Sequence, residues 1–306
     1  MEKYAGEIYA ILSGLFWAMA VCLFKKGGSQ MPPITLNLFK NIIGVFLFAI
    51  SLPIVGQPLF IDVPAYDYLM LILSGFIGMT LGDTVFFAAL KRVGASLWAI
   101  VTAFYAPSVI LMAYIVLDER LPALGFIGIA MIVFAIVLAS TKKSDRIEFD
   151  KNRLIGVGLG ILSLLLMAAG IVMMKPILDR SPLWWAIQIR LIGATFSLFV
   201  IVLLSPKRRE LLRAMLPDKH WKYIVPGSII GPYFALGFWI AGFKYTLAGI
   251  AAILNQLNMV FIFVFAWLFL KEPLTWRRWV GLIVALSGAA VVIYFKSQAD
   301  ALAPVP

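Results

Sequence analysis

Residues 154–174 read LIGVGLGILSLLLMAAGIVMM and contain no charged side chain. A helix of this length extends about 30 Å at about 1.5 Å per residue, which matches the hydrocarbon core of a bilayer. Similar apolar stretches recur along the chain, and the pattern predicts ten membrane-spanning helices. Their expected bounds are 6–24, 34–55, 67–90, 95–117, 122–140, 154–174, 183–204, 222–243, 247–270 and 276–295.

The overall composition agrees with a chain built from membrane spans. Of the 306 residues, 62% are hydrophobic and 13% are charged, with a mean hydropathy of +0.98. Soluble domains contain about 45 to 50% apolar and about 25% charged residues. The composition therefore excludes a soluble globular domain and a disordered chain. A single cysteine, Cys22, excludes an intrachain disulfide framework.

The positive charges indicate membrane topology rather than a nucleic-acid partner. The formal net charge is +11, and 18 of the 26 Lys and Arg residues fall at the odd-numbered links between spans or at the span ends beside them. Six fall on the opposite side and two lie inside spans. Because cytoplasmic loops are enriched in Lys and Arg, this distribution predicts termini outside the cytoplasm.

An internal repeat relates the two halves of the chain. A shift of 150 residues places Lys40 on Arg190, and a shift of 153 places Glu119 on Glu272. The nearly constant offset indicates a duplicated unit of five spans. Because five is odd, the second copy starts on the other side of the membrane, which predicts inverted repeats, the architecture of secondary transporters. The expected divisions are 1–140 for the first repeat, 141–153 for a basic linker, 154–296 for the second repeat and 297–306 for a polar tail.

Three pairs of segments carry a family resemblance. The first half contains LFKKGGSQMPPITLNLFKN, FFAALKRVGAS and DERLPALGFIGIAMIVFAIVL; the second contains MMKPILDRSPLWWAIQIR, GFKYTLAGIAAIL and KEPLTWRRWVGLIVALSGAAVVI. The chain resembles EamA-type transporters of the drug/metabolite transporter superfamily over nearly its whole length. The resemblance implies an all-α integral membrane fold with two EamA repeats, in a bacterial inner membrane. It implies transport of small metabolites such as amino acids, or of toxic compounds. It also implies cytoplasmic termini, so the orientation stays open. The oligomeric state, monomer or homodimer, stays open as well.

Three ionisable residues fall within the predicted spans, where a charge costs about 2.5 to 3.5 kcal/mol on insertion scales. Lys40 and Asp83 lie at similar depth, which predicts either a structural ion pair or a pair that a substrate carboxylate or a proton interrupts. Asp83 is the candidate for proton coupling. The repeat places Leu236 where Arg190 would need an acidic partner. Arg190 therefore either binds an anionic substrate group or extends its long side chain to the interface.

Polar and aromatic residues at comparable depth complete a candidate substrate site. The amides of Asn255, Gln256 and Asn258 either form interhelical hydrogen bonds or line a polar path, because unpaired amides are costly in hydrocarbon. Aromatic rings are expected to stack on a flat or cationic ligand. The full set of predicted substrate-binding residues is Trp17, Lys40, Asp83, Phe87, Tyr105, Arg190, Tyr233, Trp239, Asn255 and Asn258.

Several classes of function remain open from the residues. We predict a secondary active transporter for a small polar or zwitterionic metabolite that works by alternating access, coupled to a proton or an exchanged metabolite. The alternatives are a facilitative exchanger, uniporter or channel for an anionic metabolite, or a membrane-embedded enzyme or scaffold. No catalytic, cofactor or metal site is predicted, because the single histidine, His220, and the single cysteine lie in different parts of the chain. No phosphate-binding loop motif is present, so ATP is not the expected energy source.

Overall fold

The computed structural model describes residues 4–27, 31–120, 125–140, 151–270 and 276–302. Every regular element in these ranges is helical. The first half comprises α1 (Ala5–Gly27), α2 (Pro33–Ile54), α3 (Ala65–Gly75), α4 (Asp83–Thr102), α5 (Tyr105–Leu117) and α6 (Gly125–Ser140). The second half comprises α7 (Lys151–Arg180), α8 (Leu183–Leu204), α9 (Arg208–Arg213), α10 (Trp221–Ile229), α11 (Leu236–Tyr245), α12 (Ala248–Asn255), α13 (Asn258–Leu270) and α14 (Trp276–Leu302).

Six helical stretches in the described ranges are long and apolar enough to cross a bilayer. They are Ala5–Phe24, Pro33–Ile54, Ala65–Phe86, Leu154–Arg180, Leu183–Leu204 and Trp221–Tyr245. Four shorter apolar helices fall within the remaining predicted spans: Tyr105–Leu117, Phe126–Ala135, Ala248–Ile262 and Trp279–Tyr294. An all-helical membrane fold is therefore confirmed, whereas the number of ten spans stays a prediction.

Two π-helical segments occupy matching places in the two halves. The first π segment, Phe76–Gly82, lies between α3 and α4, and the second π segment, Ile230–Ala235, lies between α10 and α11. The shift of 153 residues superposes the ends of these segments, so Asp83 and Leu236 each follow a π segment directly. A π segment re-aims the side chains that follow it and is frequent at functional sites.

Two further irregularities also match. The helix is interrupted at Ala103 and Phe104, between α4 and α5, and again at Gln256 and Leu257, between α12 and α13. The Gln256 side chain donates to the Thr102 carbonyl oxygen at 2.8 Å, so it satisfies a backbone acceptor at the break in the other half. Discontinuous helices are the usual source of substrate sites in secondary transporters, because their ends leave backbone groups available in the membrane.

One predicted link is helical. The hydropathy pattern places a link at residues 91–94, but α4 continues through it from Asp83 to Thr102. The equivalent place in the second half is a genuine break, where Thr246 is extended and its hydroxyl donates to Glu7 Oε1 at 2.9 Å. The residue equivalent to Thr246 is Val93, which has no hydroxyl to form such a bond.

The helices of one half pack against those of the other. α2 contacts α8, α4 contacts α7, α1 contacts α10 and α11, and α6 contacts α14. Glycines permit close approach of the helices at several places, one of which lies between α7 and the first π segment. A Cβ on Gly170 would lie 2.8 Å from the Cα of Gly78. The central interface between the halves is consequently built from close backbone contact as well as from side chains.

Polar contacts join the halves at the end of the bundle where α1 begins. We call the groups there the polar end. Arg180 at the end of α7 pairs with Asp67 on α3. Glu119, just after α5, accepts from the backbone N–H of Ala248 at 2.7 Å. Within the second half, Lys244 donates to the carbonyl oxygen of Ser181 at 2.6 Å. The Arg180–Asp67 and Glu119–Ala248 contacts, together with the bond between Thr246 and Glu7 on α1, fasten the two halves at this end.

Candidate functional site

The Lys40 ammonium and the Asp83 carboxylate form an ion pair inside the bundle, with Nζ and Oδ2 3.6 Å apart. Their side chains are 7% and 18% exposed. Lys40 also donates to Asn41 Oδ1 at 3.3 Å. The pairing predicted from their equal depth is present, and the longer-than-ideal separation leaves the carboxylate with capacity for another donor.

Local sequence explains why these two groups meet. Pro33 occupies the first turn of α2, where its missing N–H costs nothing, so that α2 starts there and carries Lys40 two turns into the bundle. The first π segment then places Asp83 at the start of α4. Asn37 on α2 donates to the carbonyl oxygen of Met79 in this π segment at 3.4 Å, which fixes α2 against it.

Arg190 is the most deeply buried cation of the described residues, with an exposed fraction of 1%. Its guanidinium lies over the ring of Trp239 at 5.3 Å and donates to the sulfur of Met174. The Nε atom has no hydrogen-bond partner in the part of the chain that the structure describes. The side chain therefore does not extend to the membrane surface, and no carboxylate among the described residues forms an ion pair with it.

The Arg190 charge acts on two neighbouring groups. It lies within electrostatic range of the Asp83 carboxylate and of the Tyr105 hydroxyl. Tyr105, at the start of α5 beside the helix break, is buried with 7% exposed. Five of the predicted residues thus gather at one place: Lys40, Asp83, Tyr105, Arg190 and Trp239.

The predicted amides Asn255 and Asn258 differ in their hydrogen bonding. Asn255 donates to the hydroxyl of Ser13 on α1 at 3.1 Å, which is the interhelical bond expected of a buried amide. Asn258 begins α13, and its Oδ1 is buried without a hydrogen-bond donor in the described residues. Gly14 lies against this segment, because a Cβ there would lie 3.1 Å from Asn258 N. Asn258 is accordingly the amide with capacity for a ligand.

The remaining predicted aromatic residues are arranged differently. The Tyr233 hydroxyl bonds Ser51 Oγ at 2.6 Å, and its ring packs on Phe48 with centroids 4.8 Å apart. Trp17 is partly buried and lies near Gly231 in the second π segment. The side chain of Phe87 lies outside the described residues. The structure thus places Tyr233 in an aromatic cluster with Phe48, Trp184 and Phe234.

Two neighbours of Arg190 could not be found by searching for polar residues. Met174 supplies a weak sulfur acceptor, and Gly78 leaves space for the guanidinium, since a Cβ there would lie 3.0 Å from Arg190 Nη2. The sequence offers one signal, the four-residue spacing of Gly78 and Gly82. This spacing predicts close helix packing, but it does not predict that the Arg190 guanidinium fills the space beside Gly78. Glu119 precedes the last predicted span of the first half, but it caps α12 of the other half by accepting the Ala248 N–H.

Similarity to known proteins supports what the fold and the buried polar groups indicate. A protein from Methanothermobacter thermautotrophicus, described as an uncharacterized transporter, is 24% identical in an alignment of 310 positions that covers 96% of this chain and 88% of that protein. A protein solved by crystallography superposes with a TM-score of 0.80 over 96% of this chain and 99% of that chain, at 16% identity. The latter likeness concerns the fold alone.

The molecule is therefore a multi-pass membrane protein of the transporter class. The EamA-like transporter family matches residues 4–141 and 154–294, one match for each half. The chain belongs to this family. Membrane transport is its function in general terms, and both the resemblance and the repeated organisation expected from the sequence are confirmed.

Proposed function

We propose that the protein is a secondary carrier for a small polar or zwitterionic metabolite that bears a carboxylate. The observation that carries this proposal is the guanidinium of Arg190, buried between the halves with no carboxylate partner among the described residues. An uncompensated charge in the membrane is costly and marks a functional site. A substrate carboxylate would satisfy it with charge-assisted hydrogen bonds.

The neighbouring groups fit the rest of a zwitterion. Asp83 lies within electrostatic range of Arg190 and pairs with Lys40 at 3.6 Å. A substrate ammonium group would compete with Lys40 for this carboxylate, and a proton would compete in the same way. Trp239 offers an aromatic face beside the guanidinium. The same ion pair is thus the element that would link binding to a coupling proton or to an exchanged metabolite.

Burial requires the substrate to enter through a conformational change. Arg190 and Lys40 are almost completely enclosed in the structure, and the polar end holds the halves together on one side. In an inverted-repeat transporter, rocking of the halves exposes a central site to each side in turn. We propose this alternating access for the chain in a bacterial inner membrane. The proposal holds whether the termini lie in the cytoplasm or outside it.

The test is solute counterflow with purified protein in liposomes. We expect saturable exchange for at least one compound in a panel of amino acids, other carboxylates and amines, with the carboxylates favoured. A channel would give flux that does not saturate and no counterflow. Absence of exchange for every compound, with folded protein verified by its thermal transition, would contradict the carrier.

A further inference from the structure

The two halves differ at one pair of equivalent positions. Each π segment ends directly before a residue at the start of the next helix, Asp83 in the first half and Leu236 in the second. Each half also supplies one buried cation from its second helix, Lys40 on α2 and Arg190 on α8. Each half therefore presents a buried cation and a position directly after its π segment, but only the first half fills that position with a carboxylate.

The consequence is visible in the side-chain contacts. In the first half the cation and the carboxylate lie 3.6 Å apart. In the second half Leu236 is apolar and partly buried, and the Arg190 guanidinium lies over Trp239. Trp239 follows Leu236 by three residues on α11, so both lie on one face of that helix. α11 packs against α8, which carries Arg190.

We propose that Leu236 is a specificity-determining residue, which keeps Arg190 free by denying it a carboxylate and so selects substrates that bring one carboxylate of their own. This inference rests on the proposed function. A carboxylate at position 236 would complete in the second half the ion pair that the first half already has. The site would then have no net positive charge to offer, and substrates without a carboxylate would be favoured.

The experiment compares Leu236→Asp with Leu236→Asn in the full-length protein. The two variants have nearly the same size and polarity but differ in charge. Binding is measured by thermal shift and by counterflow with the carboxylate substrate found for the unmodified protein, and with its amine analogue lacking the carboxylate. We expect Leu236→Asp to weaken carboxylate binding at least about tenfold and to weaken amine binding much less. Leu236→Asn is expected to change their ratio less than about threefold.

The outcomes separate this inference from the carrier itself. If the unmodified protein exchanges a carboxylate substrate and Leu236→Asp behaves like Leu236→Asn, the inference is overturned while the proposed function stands. If the unmodified protein exchanges nothing, the proposed function fails first. An Arg190→Gln background provides a second measurement, because Leu236→Asp should add no further loss when its partner is gone. A full additional loss in that background would also overturn the inference.

A second variant carries the test if Leu236→Asp does not fold. Asp83→Leu gives the first half the apolar residue of the second and leaves Lys40 without its carboxylate. We expect the ratio of dicarboxylate to monocarboxylate binding to rise at least about fivefold, because two buried cations would then be available. An unchanged ratio would overturn the rule that this pair of positions sets the charge of the substrate.

Discussion

Charged groups at the polar end of the bundle and in its middle differ in whether they have a partner of opposite charge. At the polar end, Arg180 pairs with Asp67, and the Glu119 carboxylate accepts a backbone N–H at 2.7 Å. In the middle, Lys40 pairs with its carboxylate, whereas the Arg190 guanidinium forms no ion pair with a described residue and contacts the Trp239 ring and the Met174 sulfur. Paired charges therefore hold the halves together, whereas the charge without a carboxylate among the described residues is available to a ligand.

Arginine substitutions at the two places give the sharpest test of this contrast. Arg190→Gln should reduce transport of a carboxylate substrate about a hundredfold, because a buried charge contact to the ligand is lost. Its thermal unfolding midpoint should stay equal or rise, since an uncompensated buried charge is removed. Counterflow and thermal unfolding in the same detergent provide the measurements.

The matched control for Arg190→Gln is Arg180→Gln. Asp67 has a side chain that is 3% exposed, so loss of Arg180 leaves a buried carboxylate without its partner. We expect a stability loss of about 1 to 3 kcal/mol and little change in substrate affinity. The contrast would be wrong if Arg180→Gln lowered affinity and Arg190→Gln lowered only stability.

Glycine substitutions on α7 test the close helix packing around the site that contains Asp83 and Arg190. Gly170→Ala should destabilise the protein by about 1 to 3 kcal/mol, because its Cβ would lie 2.8 Å from the Cα of Gly78. Gly158→Ala on the same helix is the control, since nothing lies within 4 Å of the Cβ it would add. There we expect a gain of about 0.5 to 1 kcal/mol from helix propensity. Equal effects in thermal unfolding would contradict the close approach of α7 to the first π segment.

Replacement of Asp83 by Asn tests whether the paired carboxylate takes part in coupling. The change keeps the shape and removes the charge that faces Lys40 at 3.6 Å. We expect transport to fall about tenfold and its pH dependence to flatten, because the group that a proton would occupy is gone. Counterflow measured across a range of pH decides it. A pH profile identical to that of the unmodified protein would leave Asp83 with a structural role alone.

The smallest expected effect concerns Glu119 at the polar end. Burial raises the pKa of its carboxyl above the ordinary value of 4.5, and the negative charge of Asp179 adds to the rise. The N–H groups of Ala248 and Gly249 and the positive charge of Lys175 oppose it. The folded protein therefore holds this proton more tightly than the unfolded chain. Its contribution to stability is full below about pH 4.5 and is lost as the pH rises through the raised value.

The Glu119 prediction is checked by thermal unfolding of two variants at several pH values. Glu119→Gln keeps a neutral acceptor for the Ala248 N–H and should remove this component of the pH dependence. Glu119→Ala removes the acceptor and should cost about 1 kcal/mol, the usual effect of losing a helix cap. Retention of the full pH dependence in Glu119→Gln would show that another group at the polar end is responsible.

Hydropathy and the repeat offset are enough to predict the long apolar helices and the division of the chain into two related halves. The apolar stretches that contain α1, α2, α7 and α8 are dictated by length and composition, which act locally. The pairing of Lys40 with Asp83 followed from their depth, since helix rise converts sequence separation into distance. Glu119 shows the limit of such inference. Its partner Ala248 is 129 residues away, and no local pattern indicates that contact.

The amino-acid sequence alone is enough to identify a helical membrane transporter of two related halves, because about twenty consecutive apolar residues have few alternatives to a helix in lipid and a duplication leaves a constant offset in the chain. The position of the Arg190 guanidinium, in contrast, depends on tertiary packing. Its side chain is long enough for either the interface or the bundle, and the space left by Gly78 with the ring of Trp239 places it inside. The matching π segments and helix breaks also emerged only there, because they depend on how the helices of one half pack against the other.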